Sequence, residues 1–305
     1  MTAGRRWPAP LIATHGCSLS NAVLLVADAL DLFAAEDVKV EVPRFRAMGS
    51  PAALLADGMA GVGTVAFTQP LVNRGLADPP IVVAGSGRRG VTVLARPEVT
   101  EIADLRGQPV GTFAGDPMQL LVHDFFAAHD LGPLAEVCYA TIEEIVQDFA
   151  AGRLAAITIV EPYATRLRAD GAWTLTDGTD LWAPDFPDTV LVAARSLLAE
   201  QPGTVRGIIR ALRHAEQILA TEPATALEGV TAHFPGFSGA ELAGALPAMP
   251  PGTDIRHLES TFTDRWPRLA ALGLVAGDAP TRPPVCWGLL DAVLADEMQT
   301  GRTSP

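Results

Sequence analysis

The chain has 305 residues, 49% of them hydrophobic and 19% charged, a balance that describes an ordinary globular protein with room for two α/β lobes. Its formal net charge of −13 argues against nucleic acid and anionic membrane surfaces as partners. Lys39 is the only lysine, so arginine carries nearly all positive charge. Cys17, Cys138 and Cys286 lie far apart without CxxC spacing, which excludes a zinc ribbon or redox pair and suits a reducing compartment. No apolar run reaches the length of a membrane span, so no membrane insertion is expected. The start shows no secretory signal: Trp7 to Ala13 is too short for an h-region and holds two prolines. The expected location is cytoplasmic as the chain is given, and periplasmic or extracellular only if the true start lies upstream.

In chain order, the pattern predicts strand Leu11–Ala13, helix Asn21–Phe33 and strand Val38–Val42. Helix Pro51–Asp57, strand Gly63–Phe67, helix Pro70–Arg74 and strands Ile81–Ala84 and Val91–Leu94 follow. Pro51 and Pro70 sit where proline suits a first helical turn. A second unit runs from strand Val110–Phe113 through helices Met118–Ala128 and Ile142–Ala151 to strand Ala156–Val160. Strand Thr189–Ala193 then leads into a helical tail: Val205–Thr221, Ala224–His233, Gly239–Leu246, Leu258–Leu272 and Leu289–Met298. This alternation predicts a parallel sheet covered on both faces, with binding loops beyond the strands' carboxyl ends. Two crossings, near 100 and 188, divide the chain into lobe I (1–100 plus 189–305) and lobe II (101–188).

Two strand–loop–helix units, Pro10 to Leu25 and Val110 to Phe126, would each aim helix N-terminal donors able to hold a carboxylate, sulfonate or phosphate, and facing each other would clamp a small molecule. Cys17 falls in the first loop, where a helix dipole favours thiolate, and His15 shares its face two residues earlier. A packed or pocket-wall cysteine and a hydrogen-bonding histidine are the plain alternatives. Gly16 and Ser18 complete that loop, and Ser18 or Ser20 suits a helix cap. Arg44 and Arg46 share one face at the end of the second strand. Arg88 and Arg89 read as a turn with solvent-facing charge. Asp116 departs from an anion site: a carboxylate at a helix start suits N-capping or a cationic or N–H-rich ligand group. Gln119 is the expected ligand contact on the following helix, with His123 packed or capped. Glu161 and Tyr163, candidate ligand contacts, follow the last strand of lobe II, with a structural bond at the hinge the plain alternative for Glu161, and Trp182 is a candidate for ring stacking or for core.

Gly49-Ser50-Pro51-Ala52-Ala53-Leu54-Leu55, Phe67-Thr68-Gln69-Pro70, Asp104-Leu105-Arg106-Gly107, Ala151-Gly152-Arg153-Leu154, Glu161-Pro162-Tyr163, Val190 to Arg195 and Thr221 to Ala226 fall in a familiar order. Together they resemble the type II periplasmic binding proteins, in the group for sulfonate, nitrate and the thiamine pyrimidine precursor, over roughly residues 9 to 230. The resemblance implies a two-lobed α/β fold with a ligand cleft between lobes. It also implies ligand contacts from the loops after strands one to three, including Gly49, Ser50, Thr68 and Gln69, and from the Ala114 to Gln119 loop. The ligand expected is a small organic molecule, anionic or heteroaromatic and possibly organosulfur, with an ABC permease as partner if the protein is exported. Gly16-Cys17-Ser18-Leu19-Ser20-Asn21-Ala22-Val23-Leu24-Leu25 also resembles the cysteine segment of the 2'-hydroxybiphenyl-2-sulfinate desulfinases. That likeness implies an alternative: a cytoplasmic lyase or hydrolase cleaving C–S or C–C bonds, with Cys17 as nucleophile or acid and Arg46 holding the anionic head. The histidine-bearing insertion of those enzymes is absent, leaving His15 as its nearest substitute. A thiamine-precursor enzyme is a weaker alternative, because the cysteine-rich iron motif of the fungal proteins is missing. No cofactor and no metal are expected.

Overall fold

The computed structural model describes residues 11–12, 18–43, 45 and 47–301, the side chains of Leu11, Ile12 and Thr300 excepted. Lobe I begins with β1 (Leu11–Ile12), a 3-10 turn at Leu19–Asn21, α1 (Ala22–Ala29), α2 (Leu32–Ala35) and β2 (Val40–Glu41), with β1 and β2 parallel. The helix expected over Asn21–Phe33 is broken, because Asp31 adopts a left-handed φ of 53° between α1 and α2. Next come α3 (Ser50–Ala56), β3 (Val62–Ala66), α4 (Gln69–Val72) and β4 (Pro80–Arg88).

Lobe II holds β5 (Val91–Ala95), β6 (Pro109–Thr112), α5 (Pro117–Ala128), β7 (Ala135–Cys138), α6 (Ile142–Ala150), β8 (Ala156–Val160), α7 (Tyr163–Ala169) and β9 (Trp173–Thr176). Its sheet has the order β7-β6-β8-β5-β9, in which β6 runs parallel to β7 and β8 while β5 is antiparallel to β8 and β9. The chain returns as β10 (Pro187–Ala194), which inserts between β3 and β4 and runs antiparallel to both. The expected all-parallel sheet is therefore corrected. The outbound strands agree in direction, but the return strand from lobe II enters their sheet head-on.

The first crossing also falls earlier than residue 100. Because β5 bonds to β8 and β9, the chain leaves lobe I at Arg89 and Gly90, not near residue 100. Strand β4 continues past Ala84 to Arg88, where a turn was expected. Bare glycines permit this, since a Cβ on Gly85 would lie 2.1 Å from the Gly252 carbonyl oxygen and one on Gly87 would lie 2.4 Å from that of Ser20. Arg88 is accordingly no solvent-facing charge: it pairs with Asp185 and its Nε donates to the Pro251 carbonyl at 3.2 Å.

The tail comprises α8 (Arg195–Glu200), α9 (Pro202–Thr221), α10 (Pro223–Thr231), α11 (Gly239–Ala245), α12 (Ser260–Asp264), α13 (Trp266–Ala271) and α14 (Gly288–Thr300). The single helix expected over Leu258–Leu272 is split, because Pro267 fits only the first turn of α13. Helix α1 is buried from Ala22 to Ala27 and packs against α9 and α10, as expected for a helix that is apolar all round. Its burial fixes the Ser18–Asn21 segment at the cleft floor. Lobe II has its own core, centred on Phe113, Phe125, Ile145 and Ile159.

Candidate functional site

A cavity of about 220 Å³ lies between the lobes. Lobe I lines it with Ser18, Ser20 and Asn21 from the turn before α1, Gly49, Pro51 and Ala52 at the start of α3, Thr64 to Ala66 of β3, and Gln69. Asp188 and Thr189, at the first residues of β10, form the part nearest the hinge. Lobe II contributes Phe113, Ala114, Asp116, Met118, Tyr139 and Val160. These are ends of strands and starts of helices, the place where open α/β sheets bind ligands.

The lobes touch directly around this cavity. Thr68 Oγ1 and Gln69 Nε2 donate to the Gly115 carbonyl at 2.7 and 3.1 Å, and Leu19 N–H donates to the Glu161 carbonyl at 3.0 Å. Met48 N–H donates to the Ala140 carbonyl at 2.8 Å. Farther out, Asp124 of α5 accepts from Arg268 Nε of α13 at 2.6 Å and from Trp182 Nε1 at 2.8 Å. Arg166 of α7 reaches across to Glu241 and the Gly236 carbonyl near α11. The arrangement is a closed cleft.

Two carboxyl groups dominate its electrostatics. Asp188 is buried, and that burial, with Asp116 nearby, pushes its pKa up to about 8 despite hydrogen bonds from Ser20 and Thr189. Asp116 is pushed up to about 6 by desolvation, opposed by the N–H of Met118, which donates to Oδ1 at 3.0 Å. Near neutrality, one site is mainly an acceptor carboxylate and the other mainly a protonated acid that both donates and accepts. No arginine, lysine or histidine lines the cavity among the described residues. Its apolar walls are Phe113, Met48, Val160 and the Tyr139 ring. The Tyr139 hydroxyl, pushed up to about 12 by burial and by Asp148, donates to Asp148 at 2.5 Å.

Capping changes the expected clamp. Ser18 accepts the Ser20 N–H at 3.1 Å in the 3-10 turn that leads into α1, and Asp116 caps α5 by accepting the Met118 N–H, so a donor in each loop is already engaged within the chain. A capped N-terminus has fewer free donors and, at Asp116, carries a competing negative charge.

The sequence-predicted residues divide into three groups. Ser18, Gly49, Gln69 and Asp116 line the cavity. His15, Gly16, Cys17, Arg44 and Arg46 lie outside the described residues. The others do not line it: Ser50 opens α3, Thr68 is buried on Gly115, and Gln119 is engaged by the Gly115 N–H at 2.8 Å and by Glu136. Glu161 is buried against Arg168 and the Thr165 N–H, Tyr163 packs edge-on against Phe237, and Trp182 packs edge-on against Phe186. Glu161, Tyr163 and Trp182 thus serve the frame of the cleft, through charge pairing or ring packing. Sequence reasoning missed Ser20, Asn21, Tyr139, Asp188 and Thr189 as lining residues. The available signal for Asp188 was an aspartate opening an apolar strand at the chain's return to lobe I. No group of three or more His, Cys, Asp or Glu side chains among the described residues is arranged to hold a metal ion. No helix among the described residues is long and apolar enough to cross a membrane.

The model of the NMT1-like family matches residues 17–232, more than half of the chain. The chain belongs to the NMT1-like family. Its fold is that of the two-lobed type II periplasmic binding proteins. The alkanesulfonate-binding protein SsuA from Xanthomonas axonopodis pv. citri, bound to MOPS, is similar at 19% identity over 93% of this chain and 100% of that one, with a TM-score of 0.78. The periplasmic aliphatic sulphonate binding protein SsuA from Escherichia coli is similar at 18% identity over 89% and 90%, with a TM-score of 0.72. A cysteine-to-serine mutant of DszB in complex with biphenyl-2-sulfinic acid is similar at 15% identity over 94% and 99%, with a TM-score of 0.68. Comparison with curated proteins gives no match.

Proposed function

We propose that this protein is a solute-binding protein whose lobes close over a small heteroaromatic or amino-bearing molecule, held by nitrogen donors facing Asp116 and Asp188. Binding of a small organic molecule accords with the NMT1-like family and with the sulfonate- and nitrate-binding proteins that share the fold. The pair of carboxyl groups lining the cavity, Asp116 and Asp188, is the observation that carries the ligand class. A bare sulfonate there would face an ionised Asp116 and a capped helix. A ring with an amino group beside a basic nitrogen would give one donor to Asp116 and exchange a hydrogen bond or proton with Asp188. Phe113 and Met48 would cover its faces, and closure would exclude water and strengthen each polar contact. An ABC permease is the partner such a protein would serve if exported.

Calorimetry at neutral pH with 4-aminopyrimidine and with butanesulfonate as probes tests this class. The aminopyrimidine is expected to bind at least about tenfold more tightly, roughly 1.4 kcal/mol. Tighter binding of butanesulfonate would contradict the proposal.

A further inference from the structure

A second cavity, of about 190 Å³, sits at the hinge, bounded chiefly by Arg89, Thr92, Thr174, Arg168, Glu161 and Asp177. Its charges are unevenly engaged. Arg168 donates to Glu161 and to Thr165 Oγ1, and Glu161 also accepts the Thr165 N–H at 2.9 Å. Asp177 accepts the Thr179 N–H at 3.0 Å and its hydroxyl at 2.6 Å. Arg89 differs from Arg168: none of the ion pairs found among the described residues involves it, and its Nε makes no hydrogen bond. A guanidinium at a cavity wall with no carboxylate paired to it is matched by an anion that enters the cavity.

The backbone adds a second observation. Arg89 holds a left-handed φ of 57° at the first crossing, and its N–H donates at 3.0 Å to the carbonyl of Phe186, beside the second crossing. A strained arginine is thus fixed where both connecting strands meet, with its side chain bordering an open polar cavity. We infer that this cavity is a small-oxyanion site, taking a sulfate, phosphate or carboxylate group on the Arg89 fork beside Arg168. Such a group supplies the planar pair of acceptors that a guanidinium matches. Because Arg89 ties the crossings, the bound anion stabilises the hinge in the arrangement described here.

Thermal unfolding in sulfate, compared with chloride at equal ionic strength, tests the site. The parent protein is expected to show a saturable, sulfate-specific rise in Tm. Arg89→Gly removes the guanidinium and relieves the left-handed strain, so it should unfold at an equal or higher temperature in chloride and show no sulfate-specific rise. Arg89→Lys, which keeps the charge and loses the fork, should shift the sulfate midpoint upward by about tenfold or more. A parent without sulfate-specific stabilisation, or an Arg89→Gly variant with the parent's response, would overturn the site, as would an unchanged midpoint in Arg89→Lys.

Discussion

Asp188→Asn is expected to leave stability near the parent's in acid and to exceed it in alkaline solution, by on the order of 6 kcal/mol. The sign follows from the raised pKa of the folded protein. Asp188 ordinarily titrates near 3.8 but is pushed to about 8 by burial, so folding favours its protonated form. Its contribution is fully present below the unfolded value and is lost as pH rises from about 4 through about 8. Asp116, raised to about 6, adds a loss in the same direction over the lower part of that window. Asparagine cannot ionise, yet its carbonyl oxygen accepts the bonds from Ser20 and Thr189. Chemical denaturation at several pH values measures the effect, and parallel stability curves for parent and variant would refute it.

Gly87→Ala is expected to destabilise the protein by about 3 kcal/mol and to spoil the cleft as well. The added Cβ would meet the Ser20 carbonyl oxygen at 2.4 Å and its Cα at 2.7 Å, both backbone atoms with no rotamer to move. Ser20 also receives the Ser86 hydroxyl on that carbonyl at 3.0 Å and lines the cavity, so its displacement would reach the ligand. Gly203→Ala, in the first turn of α9 with nothing near the new methyl, serves as the control and should be neutral or slightly stabilising. Equal melting temperatures for the two variants would refute this reading of β4.

The fold was legible because its signals are local. Apolar runs bounded by Gly and Pro place β3, β6 and β8, and the ordered turns from Gly49-Ser50-Pro51 to Glu161-Pro162-Tyr163 carry the family resemblance. What was not legible depends on pairing between distant segments. Ala135–Cys138 and Trp173–Thr176 are four residues each, too short to show a period of their own, and both lie at the margins of the lobe II sheet. The length of β4 depends on Gly252 and Ser20 approaching its glycines, which no local pattern encodes. The same holds within the site. Asp116 was readable as a cap, but its joint effect with Asp188 requires β10 to insert beside β3. Glu161 looked like a contact because it follows a strand, and Trp182, near the second crossing, suited either stacking or core; their partners, Arg168 and Phe186, occupy them within the frame.

If the two carboxyl groups of raised pKa select a nitrogen-bearing molecule, that molecule should travel with the protein through purification. Mass spectrometry of whatever small molecule is released on denaturing the purified protein tests it most directly. The expected compound carries an amino group or basic ring nitrogen, and its recovery falls sharply when Asp188→Asn and Asp116→Asn are combined. A nitrogen-free sulfonate or carboxylate, retained equally by that double variant, would contradict it.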